Sequence, residues 1–139
     1  MTALFKQSFI FLLLVPLISC SQSKKKEITL PIHEIEILKN KTSAIEMTFY
    51  KQEGSISISG VNNARFIGYS IDTIAPDSIS NDYDAYLLII VNGEAYLDCE
   101  IAYYKPVPYF KFKKGDNVYY NKLSAGGINY FRQMMAGRP

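Results

Sequence analysis

The chain has 139 residues, of which 48% are hydrophobic, 14% aromatic and 20% charged. This composition excludes a wholly disordered chain, because enough apolar side chains are present to form a core. Fifteen Lys and Arg residues against thirteen Asp and Glu residues give a net charge of +2, which is too balanced for a dedicated nucleic-acid-binding protein. The length suits one domain and is too short for two of ordinary size.

The N-terminal residues have the pattern of an export signal. One charged residue, Lys6, precedes an apolar run that extends from Phe9 to Ile18. A transmembrane helix needs about 20 apolar residues, and this run has roughly half that number. A charged start, a short apolar stretch and a small residue before the break are typical of a secretory signal peptide.

The end of this run, Leu17-Ile18-Ser19-Cys20, resembles the lipobox of bacterial lipoproteins. In that family the cysteine receives a diacylglyceryl group, the peptide is cut before it, and the new amine is usually acylated. The resemblance implies a signal peptide over residues 1–19 and a lipid anchor on Cys20. Two or three acyl chains would hold the protein firmly, at ~0.8 kcal/mol per buried methylene.

Residues 20–27 are predicted to be a flexible tether, and residues 28–139 a single β-rich domain. The tether contains three consecutive lysines, which are either a solvated linker, the favoured interpretation, or a contact with anionic head groups. The family's sorting rule implies the outer membrane when, as with Ser21, no Asp follows the cysteine. No acidic run is present that would direct the protein to the cell surface, so the periplasmic face is favoured.

Most of the domain has the pattern of short β-strands, in which apolar and polar residues alternate with period two. Eight strands are predicted, over residues 33–37, 45–49, 55–59, 65–71, 85–91, 94–101, 109–113 and 118–123. Strands at such short spacing predict an antiparallel β-sandwich or a partly closed barrel. A short C-terminal helix is also predicted, because Ile128, Phe131 and Met134 or Met135 recur at helical spacing after a possible Ser124 cap.

Asn92-Gly93 predicts a hairpin with a type I′ turn, which needs positive φ at both central residues. The preceding run, residues 85–91, is continuously apolar and therefore typical of a strand covered on both faces. The returning strand alternates, with one set of side chains predicted to point inward and the other outward. The inward set is Ala95, Leu97, Cys99 and Ile101, and the outward set is Glu94, Tyr96, Asp98 and Glu100.

Few residues suggest catalysis. His33 is the only histidine, so every histidine-based triad or metal site would have to include it. Cys99 lies on the apolar side of its predicted strand and is expected to fill the core, with an intermolecular disulfide as the alternative. No phosphate loop, paired-carboxylate motif or zinc spacing is visible. The sequence therefore predicts a non-enzymatic protein with no cofactor and no metal.

The segment from Asp72 to Asp84 is predicted to be a long acidic loop. Its alternating oxygen-bearing side chains suggest a calcium site, but an EF-hand also needs Gly at its sixth position and Glu at its twelfth. Counted from Asp77 or from Asp82, neither position holds the required residue. A solvated acidic turn is favoured, and the sequence leaves open whether the loop binds a cation.

Charge is distributed unevenly along the chain. Residues 66–104 carry seven acidic residues and no Lys or Arg, whereas residues 105–139 carry seven basic residues and one acidic residue. The two blocks either make a polar molecule that steers a charged partner or pair with each other across neighbouring strands. The sequence favours neither interpretation.

Aromatic residues are concentrated in the basic segment and suggest a binding surface. In residues 109–113 the alternation places Phe110 and Phe112 on one face, predicted to be the core, and Tyr109, Lys111 and Lys113 in water on the other. Exposed tyrosines between lysines are typical of protein recognition surfaces and of sugar-stacking platforms. The predicted binding residues are Tyr104, Tyr109, Lys111, Lys113 and Tyr120.

Two functions follow from these patterns. The first is a non-enzymatic, protein-binding accessory subunit of an envelope or secretion assembly, or an immunity-type protein. The alternative is a small-ligand or glycan-binding lipoprotein that uses the Tyr-rich face. A concave row of tyrosines would favour a sugar, and a flat or convex one a protein. Nucleic acid is not an expected partner, because an exported lipoprotein rarely meets it.

Overall fold

The computed structural model describes residues 28–136, which form one six-stranded antiparallel sheet and four helices. The predicted signal peptide, Cys20 and the tether lie outside the described residues, as do residues 137–139. The helices are α1 (Ile32–Lys41), α2 (Val61–Ala64), α3 (Phe66–Tyr69) and α4 (Ala125–Met135). The strands are β1 (Thr42–Phe49), β2 (Ser55–Ser59), β3 (Ala85–Val91), β4 (Glu94–Ala102), β5 (Tyr109–Lys114) and β6 (Asn117–Lys122).

The strands are ordered β2-β1-β3-β4-β5-β6, and all neighbouring strands are antiparallel. The mainly β class is confirmed, whereas the predicted eight strands and the sandwich are not. The described sheet is open and does not close into a barrel. Helices, rather than a second sheet, complete the core on one of its faces.

The first predicted strand, residues 33–37, is part of helix α1. Its alternation is too short to distinguish a strand from a helix, and the longer pattern has helical spacing. Ile35 and Leu38 are buried in the core on the same side of the helix. Pro31 precedes the first turn, and two lysines in the last turn complement the helix dipole.

The predicted central strand at residues 65–71 is also wrong, because this segment follows α2 directly and contains the short helix α3. Gly68 explains why α3 can lie against α1. A Cβ atom at Gly68 would lie 2.5 Å from the backbone nitrogen of Lys39, so no other residue fits without a shift. Of the predicted strand, only Ile71 makes a bridge, to Leu123 beyond the end of β6.

The β3–β4 hairpin is confirmed, with φ of 51° at Asn92 and 81° at Gly93. A register shift beyond the turn pairs Ile90 with Ala95 but Ile89 with Leu97, which leaves Tyr96 as an extra residue. The alternation of β4 therefore begins after this bulge. Two assignments are corrected as a result: Ala95, predicted to point inward, is exposed, and Tyr96, predicted to point outward, packs against the core.

The sheet has one core face and one open face. All four helices contribute buried side chains to the core face, where they contact apolar residues of the strands. The prediction that Phe110 and Phe112 face the core is confirmed, because both are buried there. Phe110 also packs edge-to-face on Phe131 of α4, with centroids 5.7 Å apart. Burying each such ring contributes about 1.5–3 kcal/mol.

Helix α4 confirms the predicted C-terminal helix and its cap. The Ser124 hydroxyl accepts a hydrogen bond of 3.0 Å from the backbone nitrogen of Gly127. Among residues 28–136, the helices fall short of the length and apolar character that crossing a membrane requires.

Candidate functional site

The open face is the side of the sheet opposite the helices. Along β3 the core-facing residues are buried, whereas Tyr86, Leu88 and Ile90 on the open face are only half-buried. The prediction that both faces of this strand are covered is therefore wrong for the described residues. Polar residues surround these three, and they include Glu46, Thr48, Asp98, Glu100, Lys111 and Lys113.

A cleft of about 270 Å³ lies on the open face, where β3, β4 and β5 run side by side. Two tyrosines, two carboxylates and two lysines line it. These residues, called here the tyrosine–carboxylate cleft, are Tyr50, Tyr86, Asp98, Glu100, Lys111 and Lys113. Strand register brings them together, because Glu100 lies between Tyr86 on one side and Lys111 on the other.

Hydrogen bonds connect the tyrosines of this cleft to its carboxylates. The Tyr50 hydroxyl donates to Glu100 Oε2 at 2.8 Å, and the Tyr86 hydroxyl donates to Asp98 Oδ1 at 2.5 Å. Lys111 Nζ lies 3.3 Å from the other carboxylate oxygen of Glu100. Each carboxylate of the cleft therefore already accepts a hydrogen bond from a side chain of this protein.

The raised pKa values of both tyrosines keep their hydroxyls protonated, as hydrogen-bond donors to the carboxylates. The hydrogen bond to Asp98, followed by burial, raises the pKa of Tyr86 to about 12. Burial, together with the hydrogen bond to Glu100, raises the pKa of Tyr50 well above its usual range. Both phenols stay neutral at physiological pH and cannot act as general bases there. The arrangement suits recognition of a polar ligand or a protein surface.

Tyr109 is not in water as predicted, because its side chain is 2% exposed. It lies on the predicted face, opposite Phe110, but Ser80 and Tyr83 from the loop over residues 72–84 cover it there. The Tyr109 hydroxyl donates to the Ser80 carbonyl at 2.7 Å and accepts from the Ser80 amide at 2.7 Å. With Tyr83, Ala102 and Tyr120 it forms a second apolar cluster, called here the tyrosine cluster.

The other predicted binding residues fall into two groups. Lys111 and Lys113 line the tyrosine–carboxylate cleft, and Lys111 pairs in register with half-buried Tyr120. The Lys111 ammonium also lies 5.2 Å from the centroid of the Tyr83 ring, which places it between the cleft and the tyrosine cluster. Tyr104 is 62% exposed on the connection between β4 and β5, outside the cleft.

The acidic loop is held by lysines and backbone amides. Asp84, predicted to be solvated, is 5% exposed and accepts hydrogen bonds from the amides of Tyr103 and Tyr104 at 2.7 and 3.1 Å. Lys51 Nζ lies 3.1 Å from the same carboxylate and 3.0 Å from that of Asp82. Among residues 28–136, no cluster of three His, Cys, Asp or Glu side chains could hold a metal ion.

Charge pairing accounts for part of the uneven charge distribution. Glu100 pairs with Lys111, and Asp82 pairs with Lys105 at 3.1 Å, so residues of the acidic and basic blocks meet across neighbouring segments. Hydrogen bonds from Lys51 and Lys105 lower the pKa of Asp82. The interpretation in which the two blocks pair locally is favoured over an unpaired field.

A second polar cluster lies on the helix side, away from the open face. Glu34 of α1 accepts hydrogen bonds from the Tyr96 hydroxyl and from Lys114 Nζ, the latter at 2.5 Å. The Lys114 ammonium lies 4.4 Å from the centroid of the Tyr96 ring. Burial raises the pKa of Glu34, but the bonds from Lys114 and Tyr96 outweigh it and leave the pKa below its usual value. This cluster ties α1 to the sheet.

The two residues considered for catalysis lie apart. His33 is exposed on α1, with Nε2 3.3 Å from Glu34 Oε1. Cys99 is 1% exposed in the core, and burial raises the pKa of its thiol well above the usual value. The expectation that Cys99 fills the core is confirmed.

Sequence reasoning missed four residues of the cleft as site residues: Tyr50, Tyr86, Asp98 and Glu100. The alternation of β4 already placed Asp98 and Glu100 outward, which was a usable signal. Tyr86 lies in the apolar run over residues 85–91, where nothing distinguishes it from its core-facing neighbours. Its pairing with Glu100 also depends on the bulge at Tyr96, since an unbroken hairpin would place Tyr86 opposite Cys99.

No family model, curated protein or solved structure matches this chain.

Proposed function

We propose that this protein is a non-enzymatic, lipid-anchored envelope protein whose open face binds a partner protein. The observation that carries the proposal is the open face itself. It presents the half-buried Leu88 and Ile90 beside Tyr86, within a border of charged side chains. An apolar centre with a polar rim is the usual arrangement of a protein–protein interface, and tyrosine is enriched there.

The size of the open face fits this role. Six strands spaced by ~4.8 Å span about 24 Å across the sheet, and seven-residue β3 is about 24 Å long. The resulting planar area of roughly 600 Å² is an upper limit for the free surface and corresponds to the small end of specific interfaces, about 600 Å² per partner. The tyrosine cluster and the loop above it close one end of this surface.

The anchor part of the proposal rests on the lipobox that ends at Cys20. Seven residues lie between Cys20 and Ile28, so eight Cα-to-Cα steps span at most about 29 Å in a fully extended chain. The Ile28 carbonyl accepts a hydrogen bond of 2.7 Å from the Tyr120 amide, so the described domain begins beside β6. A lipid on Cys20 would keep the open face near the membrane surface. We propose that the protein lies on the periplasmic side of the outer membrane.

Metabolic labelling with palmitate tests the anchor. Cys20→Ala should abolish the label and leave a precursor of higher mass in the cell fraction. A Cys99→Ala variant is the matched control and should keep the label, because its thiol is buried in the core. Label on the Cys20→Ala protein would refute the anchor.

A partner of this kind is a subunit of an envelope or secretion assembly, or a toxin-like target recognised by an immunity-type protein. Affinity capture from detergent-solubilised envelope tests the face. Leu88→Asp places a charge at its apolar centre and should abolish capture of the main partner. Gln133→Asp adds the same charge at an exposed position of α4, on the opposite side of the sheet, and should not abolish capture. Equal capture by both variants, with unchanged circular dichroism, would refute the open face as the binding surface.

The tyrosine–carboxylate cleft favours a second candidate, a glycan or another small polar ligand. Its volume of about 270 Å³ and its mixture of phenol, carboxylate and ammonium groups could hold a sugar ring. Calorimetric titration with a set of oligosaccharides separates the two candidates. A saturable heat of binding that is lost in Tyr50→Ala but kept in Leu88→Asp would favour the glycan.

A further inference from the structure

The two edges of the sheet differ in whether another segment of the chain covers them. At the β6 edge, the amides of Tyr120 and Lys122 donate hydrogen bonds to the carbonyls of Ile28 and Ile74, at 2.7 and 2.8 Å. Neighbouring segments therefore cover that edge. At the other edge, within residues 28–136, β2 pairs only with β1 and its outer side has no strand beside it.

Strand β2 lacks the features that usually protect an edge. Residues 54–64 contain no charged residue and no proline, and β2 has no bulge in its pairing with β1. An edge of this kind presents a row of unpaired backbone groups to another strand. The neutral sequence Ser55-Ile56-Ser57-Ile58-Ser59 offers nothing that would repel it.

The register fixes which backbone groups face outward. The Phe49 amide donates to the Gly54 carbonyl, which marks these residues as a hydrogen-bonded pair. Such pairs alternate along an antiparallel ladder, so Ile56 and Ile58 exchange their hydrogen bonds with β1. The amides and carbonyls of the three serines of β2 consequently point away from the sheet.

We propose that two copies of this chain pair through their β2 strands, antiparallel and about a two-fold axis at Ser57. The sequence of β2 reads the same in both directions, so each residue meets one of its own kind. Ser57 lies opposite Ser57 of the second copy, Ser55 opposite Ser59, and Ile56 opposite Ile58. The outward amides and carbonyls of Ser55, Ser57 and Ser59 then satisfy one another in six hydrogen bonds.

The second copy fits this edge for three reasons. A two-fold axis perpendicular to the sheet keeps both open faces on the same side, so the dimer forms one continuous twelve-stranded surface. Exposed Val61 begins α2, separated from the end of β2 by one residue, and extends the apolar contact of Ile56 and Ile58 on the helix side. Ile28, where the described domain begins, lies at the β6 edge and therefore at the outside of the dimer.

Thiol cross-linking tests the register in membranes from cells that produce the full chain. In a hydrogen-bonded antiparallel pair the Cα atoms, like the Cβ atoms, are about 5.5 Å apart, which is too wide for a relaxed disulfide but within reach of a short bifunctional thiol reagent. Ser57→Cys should therefore cross-link to a dimer with such a reagent. Ser55→Cys is the matched control, because its two copies would lie about 14 Å apart and should not cross-link. Ser55→Cys and Ser59→Cys chains produced together should cross-link to each other.

The unmodified chain controls for Cys20 and the buried Cys99, and it should give no dimer band. Failure of Ser57→Cys to cross-link, or equal cross-linking of Ser55→Cys alone, would overturn the proposal.

A charge exchange provides an independent test by sedimentation of the detergent-solubilised full chain. Glu46 lies opposite Ser57 on β1, so in Ser57→Asp two aspartates meet beside two glutamates, and this variant should sediment as a monomer where the unmodified chain is a dimer. An equal mixture with Ser57→Lys, which places an ammonium opposite the new aspartate, should restore the dimer. Thr48→Lys, on neighbouring β1, is the matched control and should remain dimeric. A monomeric unmodified chain, or a mixture that stays monomeric, would overturn the proposal.

Discussion

Replacing Tyr109 with Phe tests how the loop at residues 72–84 is held over the end of the open face. The change removes only the hydroxyl that both donates to and accepts from the backbone of Ser80, at 2.7 Å in each case. A hydrogen bond contributes about 0.5–1.5 kcal/mol net, and Ser80 is only half-buried, so we expect the pair to contribute about 1–2 kcal/mol. The ring stays in place, so the tyrosine cluster keeps its packing.

Two measurements check this expectation. Thermal unfolding should shift down by about 4 °C or more, since a domain of this size loses roughly 4–8 °C per kcal/mol. Amide hydrogen exchange within residues 78–84 should become about 5- to 30-fold faster, because the free energy of the two lost hydrogen bonds holds that loop closed.

Tyr120→Phe is the matched control. Tyr120 belongs to the same cluster, but its hydroxyl makes no hydrogen bond to the described residues, so its loss should leave both values nearly unchanged. Equal effects of the two variants, or unchanged exchange in Tyr109→Phe, would refute the conclusion that the Tyr109 hydroxyl holds the loop in place.

Three further predictions concern the fold. Gly127→Ala should lower the unfolding midpoint in chemical denaturation, because its Cβ would lie 2.6 Å from the Ser70 carbonyl oxygen. Gly126→Ala has room for its Cβ and should raise stability by up to ~1 kcal/mol. The reverse order of stabilities would contradict the packing of α4. Gly93→Val should cost ~1 kcal/mol or more at φ of 81°, and an unchanged thermal melt would contradict the hairpin. The folded state lowers the pKa of Glu34 below 4.5, so its ion pair stabilises the protein above that pH and is lost as the pH falls further. Between about pH 5 and about pH 3, the free energy of unfolding from denaturant titration should therefore fall less in Glu34→Gln than in the unmodified chain. An equal fall in both proteins would exclude a stabilising role for the Glu34 ion pair.

Local patterns predicted the parts of the fold that depend on neighbouring residues. The Asn92-Gly93 turn, the alternation of β2 and the Ser124 cap each act within a few residues, and all three are confirmed. Residues 33–37 were misassigned because alternation over five residues also fits a short stretch of helix. Residues 65–71 were misassigned because their β-branched and aromatic residues favour a strand only weakly. Their helical form depends on distant packing, such as the close approach of Gly68 to Lys39.

The binding surface could be predicted only in part for a similar reason. Alternation placed Tyr109, Lys111 and Lys113 on the correct face, but it could not show that Ser80, 29 residues earlier, caps the Tyr109 hydroxyl. The cleft partners Tyr86 and Glu100 meet through a bulge whose position the sequence does not mark. Which residues share a face is a local property, whereas what covers that face is not.

Site-specific photo-crosslinking in living cells examines the open face in the protein's own compartment. A photoreactive amino acid at Leu88 lies at the apolar centre of the open face, and one at Gln133 lies exposed on α4, on the opposite side of the sheet. We predict that the Leu88 position gives one discrete adduct, with a mass different from that of two copies of the chain, and that the Gln133 position gives none. An adduct at Gln133 with none at Leu88, or none at either position, would contradict the assignment of the open face as the partner-binding surface.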